Sequence, residues 1–147
     1  MTKLFNIYSV ATAVVGGWLA SLFGGWDEML YTILLFAVLD YFTGLLKAFY
    51  KKELSSAIGF KGIIKKIMVF MVIAVAYKIQ RVTGNTIPLR EIVIVFFICN
   101  EALSILENAA EFIPIPDKLK EVLLQLRDKN TADLSETDQE TEEKEGE

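Results

Sequence analysis

The chain has 147 residues, of which 53% are hydrophobic, with a mean hydropathy of +0.40 and no histidine. That balance is at odds with a soluble globular domain, and a single cysteine, Cys99, excludes a disulfide framework or a thiolate metal cluster, each of which needs several sulfurs. The net charge of -4 is unevenly spread, because residues 128–147 hold nine acids and two bases, which leaves residues 1–127 net basic.

A helix crosses a bilayer core with about 20 mostly apolar residues, or about 17 when flanking side chains reach the interface. Four segments approach that length: Ile7 to Phe23, Met29 to Leu46, Ile63 to Ile79 and Ile87 to Leu106. The first is long for the apolar region of a signal peptide and lacks a clear Ala-x-Ala site after it. Its small residues instead form two adjacent rows, Ser9, Ala13, Gly17, Ser21 and Gly25 beside Thr12, Gly16, Ala20 and Gly24. Such rows let helix backbones approach closely in lipid, which marks Ala13, Gly17 and Ser21 as candidates for helix association.

The second segment is interrupted only by Asp40. The third is bounded by Lys65 and Lys66 at one end and Lys78 at the other, whose ammonium groups can snorkel outward. The fourth has Asn85 or Thr86 followed by Pro88, a helix start in which proline has no amide proton to waste. If the first segment lies in the interface, three spans remain; otherwise there are four. Lysine and arginine stay on the cytoplasmic side. Lys47, Lys51, Lys52, Lys61, Lys65 and Lys66 therefore predict a cytoplasmic loop between segments two and three, and a cytoplasmic C-terminus.

Beyond the fourth segment, Pro114 and Pro116 break the helix and Asp117 can cap a new one. Over residues 114–127, Leu119, Val122, Leu123 and Leu126 fall at helical spacing among Lys118, Lys120, Glu121, Gln125 and Arg127, which predicts a short amphipathic helix on the membrane surface or against a partner helix. From Asp128 the chain has too few apolar residues to offset ordering entropy, so residues 128–147 are expected to form a disordered acidic tail. The expected architecture is an all-α membrane protein: a transmembrane helical domain over 1–113, an interfacial helix over 114–127 and the tail.

Catalytic chemistry finds little support. The commonest general base is missing, Cys99 has no base near it in sequence, and no glycine-rich phosphate loop occurs. No catalytic residue, cofactor or metal site is expected, and the lysine loop is explained by topology and anionic headgroups rather than nucleic acid. What remains is polar chemistry inside helices. Asn100, Ser104, Glu107 and Glu111 form one stripe by their spacing of four, three and four, with Glu101 beside it. Asp40, Gly44 and Lys47 share a face of the second segment, although seven residues is too far for a good Asp40–Lys47 pair. Glu107 and Glu111 are simply accounted for if they lie in the headgroup zone; Asp40, Asn100 and Glu101 are not, and an ionisable group at membrane depth is a functional candidate by default.

Four blocks then carry a resemblance: Leu39 to Ala48, Leu54 to Lys66, Asn100 to Asn108, and Ile113-Pro114-Ile115-Pro116. In order and spacing, from about Leu34 to Leu126, they resemble the phage holin family that also includes clostridial toxin-secretion holins. The resemblance implies a non-enzymatic protein of the host cytoplasmic membrane that homo-oligomerises and forms lesions. Through these an endolysin or another cytoplasmic protein leaves the cell, with no direct contact between holin and endolysin required. The small-residue rows would aid lateral association, and Asp40, Asn100 and Glu101 would satisfy one another in a silent state and face water between subunits in a triggered one. Two other classes fit the residues: a small ion channel or transporter subunit using the buried carboxylates, and a membrane-anchored adaptor using the lysine loop and acidic tail.

Overall fold

The computed structural model describes residues 2–130, with side chains from Ile7 onward. Among them there are five helices and no strands: α1 (Thr2–Leu22), α2 (Glu28–Tyr50), α3 (Ser56–Val82), α4 (Leu89–Ala109) and α5 (117–130). Helices α2 and α3 run past their expected boundaries at both ends, α1 begins five residues earlier and ends one earlier, and α4 begins two later and ends three later, because polar caps and turns set the ends rather than the edges of the apolar runs. Asp27 accepts the Leu30 amide at 2.9 Å and starts α2; Ser55 accepts the Ile58 amide at 3.3 Å and starts α3 two turns before Ile63. The fourth helix differs from expectation, since Pro88 is itself the cap residue and neither Asn85 nor Thr86 caps it.

Three helices end alike. Past α1, α2 and α3 the chain turns through Gly24 (φ +87), Lys52 (φ 58) and Gly84 (φ 75), and the next amide reaches back five residues: Gly25 to Ala20, Glu53 to Ala48 and Asn85 to Gln80, at 2.8, 2.9 and 2.8 Å. This is the closure of a helix by a left-handed residue. Gly24 is further constrained, because a Cβ there would lie 2.8 Å from the Tyr77 ring.

Connectivity makes α2 and α4 run in one direction and α3 in the other. Among the described residues of α1–α4 the main packing is α2 on α4, then α3 on α4, while α2 and α3 touch sparingly and α1 meets α3. Leu30 and Ile33 of α2, Val69 and Ile73 of α3, and Ile94 of α4 form the apolar core. It occupies the half of the bundle nearest the α1–α2 turn. Between α2 and α3 an apolar groove of about 510 Å³ remains, lined by Leu34, Val38, Tyr41, Ile67 and Phe70 among others.

The molecule is apolar outside and charged inside. Leu34, Leu35, Val38 and Phe42 of α2, with Ile67, Met68, Met71 and Val75 of α3, are exposed, whereas Asp40, Arg90 and Glu101 are buried. An apolar surface of this extent marks a membrane or protein contact. By length and composition one helix, Glu28–Tyr50, can cross a bilayer, and Ile7–Leu22 is a shorter apolar helix. Helices α3 and α4 carry more charges, among them Lys61, Lys65 and Lys66 in α3 and Arg90, Glu91, Glu101 and Glu107 in α4.

The C-terminal end also departs from expectation. The helical region starts at 117 rather than 114 and continues through Asp128, Lys129 and Asn130, so these three residues belong to α5 and not to the acidic tail. The rest of that expected tail, 131–147, lies outside the described residues.

Candidate functional site

The buried charges meet at one level of the bundle. Asp40 lies ten residues before the end of α2, Lys66 ten after the start of α3, and Glu101 eight before the end of α4. At 1.5 Å per residue, each is about 12–15 Å from its helix end. Lys66 reaches between the two acids, with Nζ donating to Asp40 Oδ2 and Glu101 Oε2. Asp40 is 7% exposed and Glu101 1%.

The second oxygen of Asp40 is also engaged. Asn108 Nδ2 donates to Asp40 Oδ1 and to Thr43 Oγ1, both at 3.3 Å, and Thr43 Oγ1 donates to the Asp40 carbonyl at 3.1 Å. Two carboxylates against one ammonium leave a surplus negative charge. Lys65 and Ser104 line two polar cavities on either side of this layer, one of about 230 Å³ that includes Asp40, Gly44 and Asn108, the other of about 410 Å³ that includes Asn100, Glu101 and Glu107. Spaces of that size and polarity are large enough to hold water.

A second polar layer closes the opposite end of the core. Arg90, 3% exposed, donates through Nε to the Phe23 carbonyl and through Nη1 to Asp27 at 2.8 Å and Glu91 at 3.4 Å. Its backbone amide donates to Gln80 Oε1 at 2.6 Å. One residue thus ties the end of α1, the cap of α2, the end of α3 and the start of α4. A third layer lies at the lysine-rich end, where Glu111 accepts from Lys51 at 2.7 Å and Lys47 at 3.3 Å, and the Tyr50 and Phe112 rings meet edge to face at 5.2 Å.

The outer layers make stability depend on acid. The Arg90 guanidinium bonded to Asp27 holds that carboxyl below its ordinary 3.8, and Lys51, then Lys47, hold Glu111 below its ordinary 4.5. A carboxyl lowered in the folded state contributes stability that is complete above its ordinary value and is lost as pH falls through the lowered one. The melting temperature in detergent is therefore expected to be level from about pH 7 to about pH 5 and to drop below about pH 4. Asp27→Asn should shallow that acid limb; an unchanged limb would remove the Arg90 pair from the account.

Several expected residues are relocated. Lys66, assigned to the basic loop, is instead half-buried between two acids, because α3 begins at Ser56; Lys61 and Lys65 also lie on α3, while Lys51 and Lys52 form the turn. Asn108, and not Asn100, bonds Asp40; Asn100 lines the larger cavity with Ser104 and the exposed Glu107. Gly44 lines the smaller cavity, and Lys47 pairs with Glu111. Ala13, Gly17 and Ser21 are exposed on α1, and nothing approaches within 4 Å of where a Cβ on Gly17 would stand. Arg90, Asp27 and Thr43 were not singled out by sequence; Asp27 three residues before Leu30 is a capping signal that could have drawn attention to the first layer.

The family model of the bacteriophage holin family matches residues 17–128, which span α2 to α4, nearly all of α5 and the end of α1. The chain belongs to the bacteriophage holin family. Among similar chains, a probable holin of Bacillus phage phi105 is 33% identical over 108 residues, covering 73% of this chain and 80% of that one. An uncharacterised 14.9 kDa protein of Clostridium perfringens is 41% identical over 131 residues, 88% of this chain and 99% of its own. An uncharacterised protein of Listeria monocytogenes is 41% identical over 104 residues, 70% of this chain and 74% of its own. No solved structure matches. Holin membership implies a place in the cytoplasmic membrane and points to a non-enzymatic role. Among the described residues no group of three or more acids, cysteines or histidines is placed to hold a metal.

Proposed function

We propose that this chain is a multi-pass holin, with three or four spans and a cytoplasmic C-terminus, which assembles with copies of itself into lesions that let an endolysin or another cytoplasmic protein leave the cell. The observation that carries this reading is the Asp40–Lys66–Glu101 layer, a set of charges midway along helices whose outer faces are apolar. Inside one subunit the three groups satisfy each other. If the helices part, each group needs water or an equivalent group of a neighbouring copy, because an isolated charge facing lipid is disfavoured by about 2.5–3.5 kcal/mol or more. The bundle is thereby bistable: closed with the layer paired, or opened around water between copies. Membrane potential acts on the surplus charge, at about 2.3 kcal/mol per charge for 100 mV across the full field.

The test is controlled expression in a bacterium with and without a cytoplasmic endolysin, following optical density and membrane potential. Abrupt growth arrest in both strains, with lysis only when the endolysin is present, is the expected result. Ion-selective conductance without arrest or macromolecule release would replace the holin reading with that of a channel subunit.

A further inference from the structure

The two ends of the bundle differ in what lies between the helices. The 230 Å³ cavity is bounded by Asp40 to Leu45 of α2, Ile58 to Lys66 of α3, and Ser104 and Asn108 of α4, so it runs from the Asp40–Lys66–Glu101 layer toward the lysine-rich end. Ile58 on its rim is exposed, and Gly44, Gly62 and Asn108 are partly so. The 410 Å³ cavity is walled by Lys120, Leu124 and Arg127 of α5; along α4 it passes from Glu107 to Glu101 and stops one turn further on, at Phe97 and Val69.

Beyond that level the interior changes character. Leu30, Ile33, Val69, Ile73 and Ile94 are at most 5% exposed and pack on one another with no polar side chain among them. The far side of this apolar septum is shut by Arg90, 3% exposed, whose guanidinium is committed to the Phe23 carbonyl and Asp27. Polar spaces take up water while tightly packed apolar ones stay dry, and an apolar constriction between two wet regions is a gate.

We infer that the paired subunit is a half-channel: water, with the small ions it carries, enters from the lysine-rich end as far as the Asp40–Lys66–Glu101 layer and is stopped by the septum of Leu30, Ile33, Val69, Ile73 and Ile94. This deepens the lesion-forming reading, and rests on it only for what the septum holds back until the helices part. Water at the layer solvates its surplus charge, and it also narrows the region over which the membrane potential falls. Asp27 and Asp40 are 13 residues apart and Arg90 and Glu101 are 11 apart, so the field spans about 17–20 Å of septum rather than about 30 Å of hydrocarbon.

The test uses the full chain with Cys99→Ala and one cysteine added at a time, in right-side-out and inverted membrane vesicles that retain a trapped dye, probed with an impermeant cationic methanethiosulfonate. Glu53→Cys in the lysine-rich turn and Thr86→Cys in the opposite turn, both exposed, report the two faces. Gly44→Cys probes the smaller cavity, where a Cβ meets Asn108 Nδ2 at an ordinary 3.7 Å, and Ser104→Cys probes both cavities. Each should react from the Glu53 face at least about tenfold faster than from the Thr86 face, and Ile94→Cys from neither, because a thiol needs water to form the reactive thiolate. Gly44→Cys and Ser104→Cys as inert as Ile94→Cys, or an Ile94→Cys that reacts from either face, overturns the half-channel. In the controlled-expression assay Ile94→Thr should lose membrane potential earlier than Ile94→Val, which has the same size without the hydroxyl; equal intervals overturn the septum as the barrier. A chain that labels as expected yet never collapses the potential or releases an endolysin overturns the lesion reading instead and leaves the half-channel supported.

Discussion

Lys66→Met is expected to be the most damaging single substitution in the bundle. It leaves Asp40 and Glu101 facing each other without the ammonium that both accept from, and removing one partner of a buried ionic cluster costs about 3–5 kcal/mol. For a domain of this size that is a fall in melting temperature of about 10 °C or more, read by tryptophan fluorescence in detergent, with a matching loss of protein from the membrane fraction. Neutralising the acids as well, by Asp40→Asn and Glu101→Gln, should recover most of the loss, because well-packed neutral groups replace a buried ion cluster at little penalty. A Lys66→Met chain that accumulates and melts like the parent would show that the layer carries no net interaction. The neutral triple variant separates stability from the proposed function: it should fold and yet, on the lesion-forming reading, be altered in lysis timing, since it lacks the charge on which membrane potential would act.

Arg90→Ala should have the second largest effect, about 2–3 kcal/mol, less than for Lys66 because the Asp27 side chain is half exposed and water takes over part of its pairing. The discriminating variant is Arg90→Lys. Lysine keeps the charge but cannot present Nε to the Phe23 carbonyl and Nη1 to Asp27 in one rigid fork. Chemical unfolding in detergent should place Arg90→Lys between the parent and Arg90→Ala. Equality with the parent would mean that charge alone holds this end, and that the tie between the end of α1 and the α2 cap has no geometric content.

How far the sequence disclosed this arrangement depended on whether a signal was local. The helices followed from apolar runs bounded by turn residues, and Asp40 and Glu101 stood out because their neighbours are apolar. Lys66 was misplaced by the same logic: a lysine at the edge of an apolar run looks like a snorkelling end until Ser55 is recognised as the cap, which puts Lys66 three turns into α3. Asn100 and Asn108 have identical chemistry, and only angle separates them. At about 100° per residue, Asn108 falls about 20° from Glu101 around α4 while Asn100 falls about 100° away. The stripe Asn100, Ser104, Glu107 therefore faces the α5 cavity, and the stripe Glu101, Ser104, Asn108 faces α2 and α3, with Ser104 common to both. Arg90 gave no local sign, because its partners come from residues 23, 27 and 80, and the packing that joins them is non-local.

The single lysine between two acids also restricts how the helices can move past each other. Sliding α3 along its axis by one turn, about 5.4 Å, would bring Gly62 or Phe70 to the level of the carboxylates in place of Lys66. Neither residue offers a side-chain proton to either acid, so every intermediate offset is unfavourable and the helix behaves like a tooth in a notch. Under the proposed lesion-forming reading, creep would be suppressed and the subunit would hold its shape or give way in one step, the mechanical property that a membrane clock requires if it is to keep the cell intact until it fires.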